Sequence, residues 1–147
     1  MKQHRIGFVG LGRMGSNMTR CLNDQGYQIS AVFDLQHEVA GQLAAEIGAT
    51  ACQTLAAVTA HADIILTVVT DDHAMEAIFF GEDDNLLIGA QQRTFINCAT
   101  LSPASHSRLD EAARAVGAHG VEGWMAAGIP QGGNGERFLV VGGGRAI

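Results

Sequence analysis

The feature that most constrains the fold is the apolar run at residues 64–69, IILTVV, which lies between two segments of helical periodicity. A strand with almost no polar positions is buried on both faces, which is typical of a parallel sheet. Helices packed on the two sides of such a sheet supply that burial. The run therefore predicts an interior strand of an α/β protein.

The rest of the chain repeats the alternation of strand and helix. Strands are predicted at residues 6–9, 27–33, around 50–51, 94–98 and 138–141. Helices are predicted at residues 13–25, 36–47, 55–61, 72–80 and 103–116. This order is that of a Rossmann-like, doubly wound, mainly parallel sheet, and we expect residues 1–147 to form a single domain.

Short polar residues mark the predicted helix ends. Candidate N-caps precede three of the helices: Thr54, Asp71 or Asp72, and Ser102. Pro103 suits the first helical position, where its missing amide proton costs nothing. Gly48 lies where a left-handed residue ends a helix. These residues support the predicted boundaries independently of the apolar pattern.

Composition limits the partners that the chain can have. Of its 147 residues, 47% are hydrophobic and 16% charged, which is enough to bury a core and excludes a disordered chain. The net charge of −6, without any basic stripe, argues against nucleic acid and anionic membranes as partners. The three cysteines form no CxxC pair, so we expect reduced thiols. With no signal-peptide pattern and no run of about 20 apolar residues, we expect a soluble domain in the cytoplasm.

A glycine motif, GLGRMG at residues 10–15, lies between the first predicted strand and the first predicted helix. In a dinucleotide-binding turn, the first glycine makes the turn, the second admits the pyrophosphate and the third lets the helix pack on the strand. Gly10, Gly12 and Gly15 fit these positions, and the helix amides that follow favour phosphate charge. Asp34 ends the second strand, where a carboxylate accepts hydrogen bonds from ribose hydroxyls. The motif therefore predicts a dinucleotide site.

The residues around Asp34 favour NAD over NADP. A carboxylate repels a 2′-phosphate, and residues 35–38, LQHE, contain no arginine that would bind one. His37 is the group in this segment that could weaken the preference. We therefore expect NAD as the cofactor and keep NADP as the alternative.

The segment at residues 7–18, GFVGLGRMGSNM, resembles the opening of the β-hydroxyacid dehydrogenases, which include 3-hydroxyisobutyrate dehydrogenase and the cofactor domain of 6-phosphogluconate dehydrogenase. The resemblance continues at residues 68–72, 80–82 and 97–103, and covers essentially the whole chain. It implies reversible hydride transfer between NAD and a small hydroxy acid or related alcohol. The cofactor residues that the motif and the resemblance imply are Gly10, Leu11, Gly12, Arg13, Met14, Gly15, Asp34, Val69, Thr70 and Thr100.

The substrate segment departs from the family pattern. The family's D-x-P-V-S-G-G is similar to residues 123–128, GWMAAG, in which Gly123 replaces the aspartate and Ala127 replaces the serine. In the family, that serine and the glycine amides hold the substrate carboxylate. The resemblance places the substrate beside Ala126, Ala127 and Gly128, where backbone amides are the remaining donors for an anion.

The resemblance also implies that catalysis needs residues of another domain. In the family, the general acid/base is a lysine on a helical domain that follows a VGG segment, here at residues 141–143. Lys2 is the single lysine of this chain, so the family's catalytic lysine is expected to lie beyond Ile147 and no residue of the chain is assigned its role. We expect the C-terminal helical domain to be absent and the chain alone to catalyse poorly or not at all. Two other interpretations stay open: a nucleotide-binding or regulatory module without catalysis, and a fragment that self-associates as a homodimer.

Three further clusters have simpler explanations. Ser105, His106 and Asp110 lie on one predicted helix, where His106 and Asp110 are expected to make a surface pair four residues apart rather than part of a hydrolase triad. The histidines and aspartates within residues 61–73 lack metal-site spacing, and we expect no metal. The acidic run at residues 82–84 is expected to be a solvated turn.

Overall fold

The computed structural model describes residues 4–69, 71–98, 102–125 and 139–143. Strands and helices alternate along these residues in the following order: β1 (Arg5–Val9), α1 (Arg13–Asp24), β2 (Gln28–Phe33), α2 (His37–Ile47), β3 (Thr50–Ala51), α3 (Leu55–His61), β4 (Ile64–Thr67), α4 (Asp72–Phe80), β5 (Thr94–Asn97), α5 (Pro103–Ala115), β6 (His119–Met125) and β7 (Leu139–Gly143). Apart from β6, every one of these elements is predicted from the sequence, with ends that differ by a few residues.

The described strands form one seven-stranded sheet in the order β3-β2-β1-β4-β5-β6-β7. Neighbouring strands from β3 to β6 are parallel, and β7 pairs antiparallel with β6 at the edge. The strand order runs outward from β1 in both directions, so the chain reverses its winding between β1 and β4. The Rossmann-like, mainly parallel, doubly wound sheet is therefore confirmed.

The sheet is buried on both faces, as the run at residues 64–69 predicts. Ile65 and Leu66 are neighbours in β4, point to opposite faces and are both buried. Ile65 belongs to an apolar cluster with residues of α3, α4 and α5, and Leu66 belongs to one with residues of α1 and α2. The strand itself ends at Thr67, two residues before the predicted end. Burial on two faces thus places β4 in the interior of the domain.

The predicted helix ends are confirmed by hydrogen bonds. The side chains of Thr54, Asp71 and Ser102 each accept from the amide three residues further on, at 2.9–3.2 Å. Asp71 rather than Asp72 caps α4. Gly48 ends α2 with a φ of 77°. Local capping signals therefore place these helix ends correctly.

The strand that the sequence does not predict is β6. Its sequence, HGVEGWM, contains two glycines and a charged residue, which weaken the usual strand pattern. A Cβ at Gly120 would lie 3.3 Å from Oδ1 and 3.5 Å from Cα of Asp110, so α5 packs very close to this strand. Gly120 therefore weakens the strand pattern in the sequence and also gives α5 the room to pack on β6.

The prediction of a solvated turn at residues 82–84 is wrong for Asp84. Glu82 and Asp83 are exposed, but the Asp84 carboxylate accepts from the amides of Leu55 and Ala56 at 2.7 and 3.0 Å. These amides are the first two of α3, where a negative charge is favourable. Because the partners lie almost 30 positions away in the sequence, no local pattern reveals this cap.

Candidate dinucleotide site

The glycine motif joins β1 to α1 at the carboxyl-terminal end of the parallel strands. β1 lies between β2 and β4 in the sheet, beside the place where the winding reverses. Doubly wound sheets bind their ligands in the crevice at this position. The fold therefore presents the motif where a cofactor would lie.

Two of the three glycines are required by close backbone contacts. Gly10 has a φ of 95°, and a Cβ there would lie 2.2 Å from the carbonyl oxygen of Val68. A Cβ at Gly15 would lie 1.9 Å from the carbonyl oxygen of Gly10. The first turn of α1 thus packs directly against the glycine turn, and a side chain at either position would force the backbone apart.

Gly12 differs from these two because the space beside it is open. A Cβ at Gly12 would meet no described heavy atom within 4 Å. Gly12 is the N-cap of α1 without a side-chain cap, and Ser16 donates its amide to the Gly12 carbonyl at 2.9 Å. The amides between them have no helical carbonyl to bond with. Those amides and the positive end of the helix dipole fit a pyrophosphate placed over Gly12.

The Asp34 carboxylate lies beside the glycine turn. Oδ2 accepts from the Leu11 amide at 2.7 Å, and Oδ1 accepts from the Gln36 amide at 2.9 Å. The side chain is half-buried at the end of β2. A carboxylate has about four acceptor positions, so about two remain for the hydroxyls of a ribose. The structure therefore brings Asp34 and the glycine turn together, as the sequence predicts.

Ser16 is a residue of this turn that the sequence analysis does not single out. Its hydroxyl donates to the Leu11 carbonyl at 2.7 Å. A serine in the first turn of a helix commonly bonds to the backbone, which is the one signal that could have drawn attention to it. Leu11 itself is buried, Met14 is half-buried and Arg13 is exposed. The motif thus has a packed inner side and an open outer side.

The loop after β4 reaches the glycine turn. A Cβ at Gly10 would lie 3.1 Å from Cγ1 of Val69, so the predicted cofactor residue Val69 does lie beside the turn. The predicted cofactor residues Thr70 and Thr100 lie outside the described residues. The predicted substrate residues also lie outside them: Ala126, Ala127 and Gly128.

The expected position of the catalytic lysine also falls outside the structure. The resemblance places that lysine beyond Ile147, and Ile147 itself lies outside the described residues, the last of which is Gly143. The expectation that the general acid/base comes from a following helical domain therefore stays a prediction. Among the predicted site residues, those that the structure describes all belong to the predicted cofactor site.

A bidentate ion pair lies at the opposite, amino-terminal end of the sheet. The Arg5 guanidinium donates to the two Asp63 carboxylate oxygens at 3.0 and 3.3 Å, and the Arg5 amide donates to the same carboxylate at 2.9 Å. The side-chain hydrogen bond from Arg5 is the largest of the effects that lower the pKa of Asp63 to about 2, although desolvation acts in the opposite direction. The pair joins the start of β1 to the residue before β4 and is remote from the glycine turn.

The described residues also bear on a metal site, a hydrolase triad and a membrane-spanning helix. No three His, Cys, Asp or Glu side chains in this part of the chain lie close enough to hold a metal ion. Asp110, from the serine–histidine–aspartate set, forms an ion pair with Arg114 at 2.9 Å. None of the helices in the described ranges is long and apolar enough to cross a membrane.

The sheet order, the glycine turn at the point of reversal and the acceptor at the end of β2 together define an α/β dinucleotide-binding domain. The chain belongs to the family described as the NAD binding domain of 6-phosphogluconate dehydrogenase, whose sequence profile matches residues 5–147. It is therefore an NAD-binding domain, and the resemblance to the β-hydroxyacid dehydrogenases is confirmed.

Individual relatives agree with this family. The NAD-dependent L-serine dehydrogenase of Pseudomonas aeruginosa is 31% identical over 144 residues, which are 97% of this chain and 47% of that protein. The mitochondrial 3-hydroxyisobutyrate dehydrogenase of Drosophila melanogaster is 30% identical over 139 residues, 94% of this chain and 41% of that protein. The structure of 3-hydroxyisobutyrate dehydrogenase from Mycobacterium tuberculosis has the same fold, with a TM-score of 0.86 over 99% of this chain and 48% of that chain at 22% identity. The chain thus spans about half the length of the curated relatives it matches.

Proposed function

We propose that this chain is the cofactor-binding half of an oxidoreductase that transfers a hydride between NAD and a small hydroxy acid or related alcohol. The observation that carries the proposal is the open space at Gly12, in contrast to the blocked space at Gly10 and Gly15. A turn whose glycines served packing alone would have no reason to keep its middle position empty. The two curated relatives described above are dehydrogenases of small hydroxy acids, which supports this substrate class.

Each part of the predicted site has a role in this proposal. The amides of Gly12, Arg13 and Met14 bind the pyrophosphate, and Asp34 accepts from the hydroxyls of the adenosine ribose. Val69, Thr70 and Thr100 lie along the nicotinamide ribose, and the substrate carboxylate bonds to backbone amides at residues 126–128. NAD supplies the hydride chemistry when bound, and the chain supplies its placement. The proton of the alcohol is transferred by a group outside this set.

The proposed preference for NAD over NADP rests on the Asp34 carboxylate. Two backbone amides hold it at 2.7 and 2.9 Å, so it is not free to turn away from a 2′-phosphate that enters beside it. His37, the nearest basic side chain in the sequence, packs edge-on against Phe33 with 5.9 Å between ring centroids. A cytoplasmic location also belongs to the proposal, because the cysteine pattern of the sequence favours a reducing compartment.

The Asp34→Ala variant tests the assignment of the ribose. We expect weaker binding of NADH and a smaller difference between NADH and NADPH, because the ribose diol loses its acceptor and the 2′-phosphate loses a repulsive charge. Calorimetric titration of both cofactors measures the two affinities. An unchanged NADH affinity would contradict the assignment.

An assay of NAD reduction with a series of hydroxy acids then separates an active domain from a module that binds the cofactor without catalysis.

A further inference from the structure

Leu11, the second residue of the glycine turn, has both of its backbone polar groups bound by side chains. Its amide donates to Asp34 Oδ2 at 2.7 Å, and its carbonyl accepts from the Ser16 hydroxyl at 2.7 Å. Its own side chain is buried, with 3% exposure. Two hydrogen bonds and the burial of its side chain therefore hold Leu11 in place without a ligand contact.

The Asp34 carboxylate links the segments that follow β1 and β2. The regular pairing ends at Val9 and Phe33, and the Gly10 amide then donates to the Phe33 carbonyl at 3.0 Å. The following amide, that of Leu11, donates to the Asp34 side chain. Because the other carboxylate oxygen is bound to the Gln36 amide, the turn is tied to the segment that begins α2.

We propose that Asp34 and Ser16 are positioning residues that hold the glycine turn in its phosphate-binding conformation before the cofactor arrives. This inference rests on the proposed function and adds a second task for Asp34 to the ribose contact. A turn ordered in advance binds the pyrophosphate at a lower entropic cost. Removal of Asp34 therefore lowers the affinity for NADPH as well as for NADH, and it does not create an NADP site.

The two tasks of Asp34 can be separated with ADP and 2′,3′-dideoxyadenosine 5′-diphosphate, which keeps the pyrophosphate and lacks both ribose hydroxyls. We expect Asp34→Ala to weaken the dideoxy compound about tenfold, because the turn loses a charge-assisted hydrogen bond. Asp34→Asn has one side-chain oxygen for the two amides and no charge, so its affinity for that compound is expected to lie between those of the wild-type chain and Asp34→Ala. Equal binding of the dideoxy compound by the wild-type chain and Asp34→Ala would overturn the proposal.

Ser16 provides a test that does not involve the ribose contact. Ser16→Ala is expected to lower the affinities for NADH and NADPH by the same factor, about threefold to tenfold, and to leave the preference between them unchanged. Ser16→Thr keeps the hydroxyl and restores both affinities. A Ser16→Ala variant that binds both cofactors as tightly as the wild-type chain would contradict its positioning role.

Amide hydrogen exchange at Leu11 in the nucleotide-free chain separates a failure of this inference from a failure of the proposed function. We expect exchange at Leu11 to be at least about tenfold faster in Asp34→Ala, and the rate in Asp34→Asn to lie between those of Asp34→Ala and the wild-type chain. Unchanged exchange in Asp34→Ala would show that the carboxylate does not hold the turn. If the wild-type chain bound neither ADP nor NADH while Leu11 exchanged as expected, the proposed function would fail and the hold on the turn would stand without a role in binding.

Discussion

The two ends of the central sheet use the same chemical groups in different ways. At the amino-terminal end, the Asp63 carboxylate is bonded to Arg5 through both the guanidinium and the amide. There, Arg93 also donates its Nε to the Thr59 carbonyl at 2.9 Å. At the carboxyl-terminal end, Asp34 bonds to two backbone amides and retains acceptors. At the amino-terminal end these charged groups bond to other groups of the chain. At the carboxyl-terminal end, amides of the glycine turn and acceptor positions of Asp34 remain for a ligand.

Substitutions at the two ends of the sheet should therefore affect different quantities, the free energy of unfolding at one end and cofactor affinity at the other. A change at the amino-terminal end removes bonds that the folded chain makes with itself, so it lowers the free energy of unfolding. A change at the open side of the glycine turn removes the bonds proposed to form with the cofactor, so it is expected to lower affinity.

The largest effect is expected from valine at two positions of the same motif. Gly12→Val places a side chain in the proposed pyrophosphate site, and we expect NADH affinity to fall about 100-fold or more because several charge-assisted hydrogen bonds are lost. The backbone of Gly12 is extended, with a φ of −65° and a ψ of −170°, which valine adopts. Its free energy of unfolding should therefore change by about 1 kcal/mol or less.

The matched variant, Gly15→Val, behaves differently. Its side chain meets the Gly10 carbonyl oxygen, and we expect the free energy of unfolding to fall by about 3 kcal/mol. Urea denaturation measures this quantity for both variants, and calorimetry measures NADH binding. If Gly12→Val unfolded as readily as Gly15→Val, or bound NADH normally, the contrast between the open and the packed side of the turn would be lost.

The next effect concerns Asp84, which caps α3 rather than the helix that follows the glycine turn. Asp84→Ala leaves the amides of Leu55 and Ala56 without their acceptor, and we expect the free energy of unfolding to fall by about 1–2 kcal/mol. Thermal and urea denaturation measure the change. The exposed neighbour provides the control, since Asp83→Ala should change the same quantity by less than about 0.5 kcal/mol. An equal change in the free energy of unfolding for both variants would show that the Asp84 cap does not stabilise α3.

The ion pair at the amino-terminal end predicts a dependence on pH. Because the folded pKa of Asp63 is lowered from 3.8 to about 2, its contribution to stability is present above pH 4 and is lost as the pH falls towards 2. Arg5 is 38% exposed, so solvent screening reduces the contribution to about 1 kcal/mol. Asp63→Asn should therefore be less stable than the wild-type chain at pH 7 and equal to it near pH 2, with unchanged NADH affinity.

Urea denaturation at pH 7, 4, 3 and 2 follows this convergence, with Asp83→Asn as the control for the loss of one exposed carboxylate. A stability difference that stays constant across this range would contradict the lowered pKa of Asp63. A loss of NADH affinity in Asp63→Asn would contradict the separation between the two ends of the sheet.

The smallest effects are expected on α5, outside both ends. The Arg108 guanidinium lies 4.1 Å from the centre of the Phe80 ring and also pairs with Glu76, so Arg108→Ala should cost about 0.5–1 kcal/mol of unfolding free energy. Arg114 pairs with Asp110 one turn away on the same helix, and Arg114→Ala should cost about 0.3 kcal/mol. Thermal denaturation of the two variants measures the order, and the reverse order would argue against the ring contact.

Much of the fold follows from local signals in the sequence. The apolar run at residues 64–69 predicts the buried centre of the sheet, and Thr54, Asp71 and Ser102 bond to amides three residues away, which a sequence pattern can show. What could not be predicted depends on partners distant in sequence. The Asp84 cap joins segments almost 30 positions apart, and β6 becomes a strand because β5 and β7 pair with it, despite its glycines.

The site divides in the same way. The glycine spacing and Asp34 are visible in the sequence because each residue type has a known steric or electrostatic role. The bond from Leu11 to Asp34 joins residues 23 positions apart and depends on the register of β1 and β2. The role of Ser16 depends on the conformation of the turn, which residue types alone do not fix.

The most direct test of the account is a titration of the purified chain with NADH and, separately, with NADPH. Trp124, the single tryptophan, is excited, and energy transfer to the dihydronicotinamide reports binding, with calorimetry as an independent measure. If the glycine turn and Asp34 form an NAD site, binding is saturable and tighter for NADH than for NADPH. Absence of binding by both methods would contradict this assignment, because the glycine turn would then serve the packing of α1 on β1 alone.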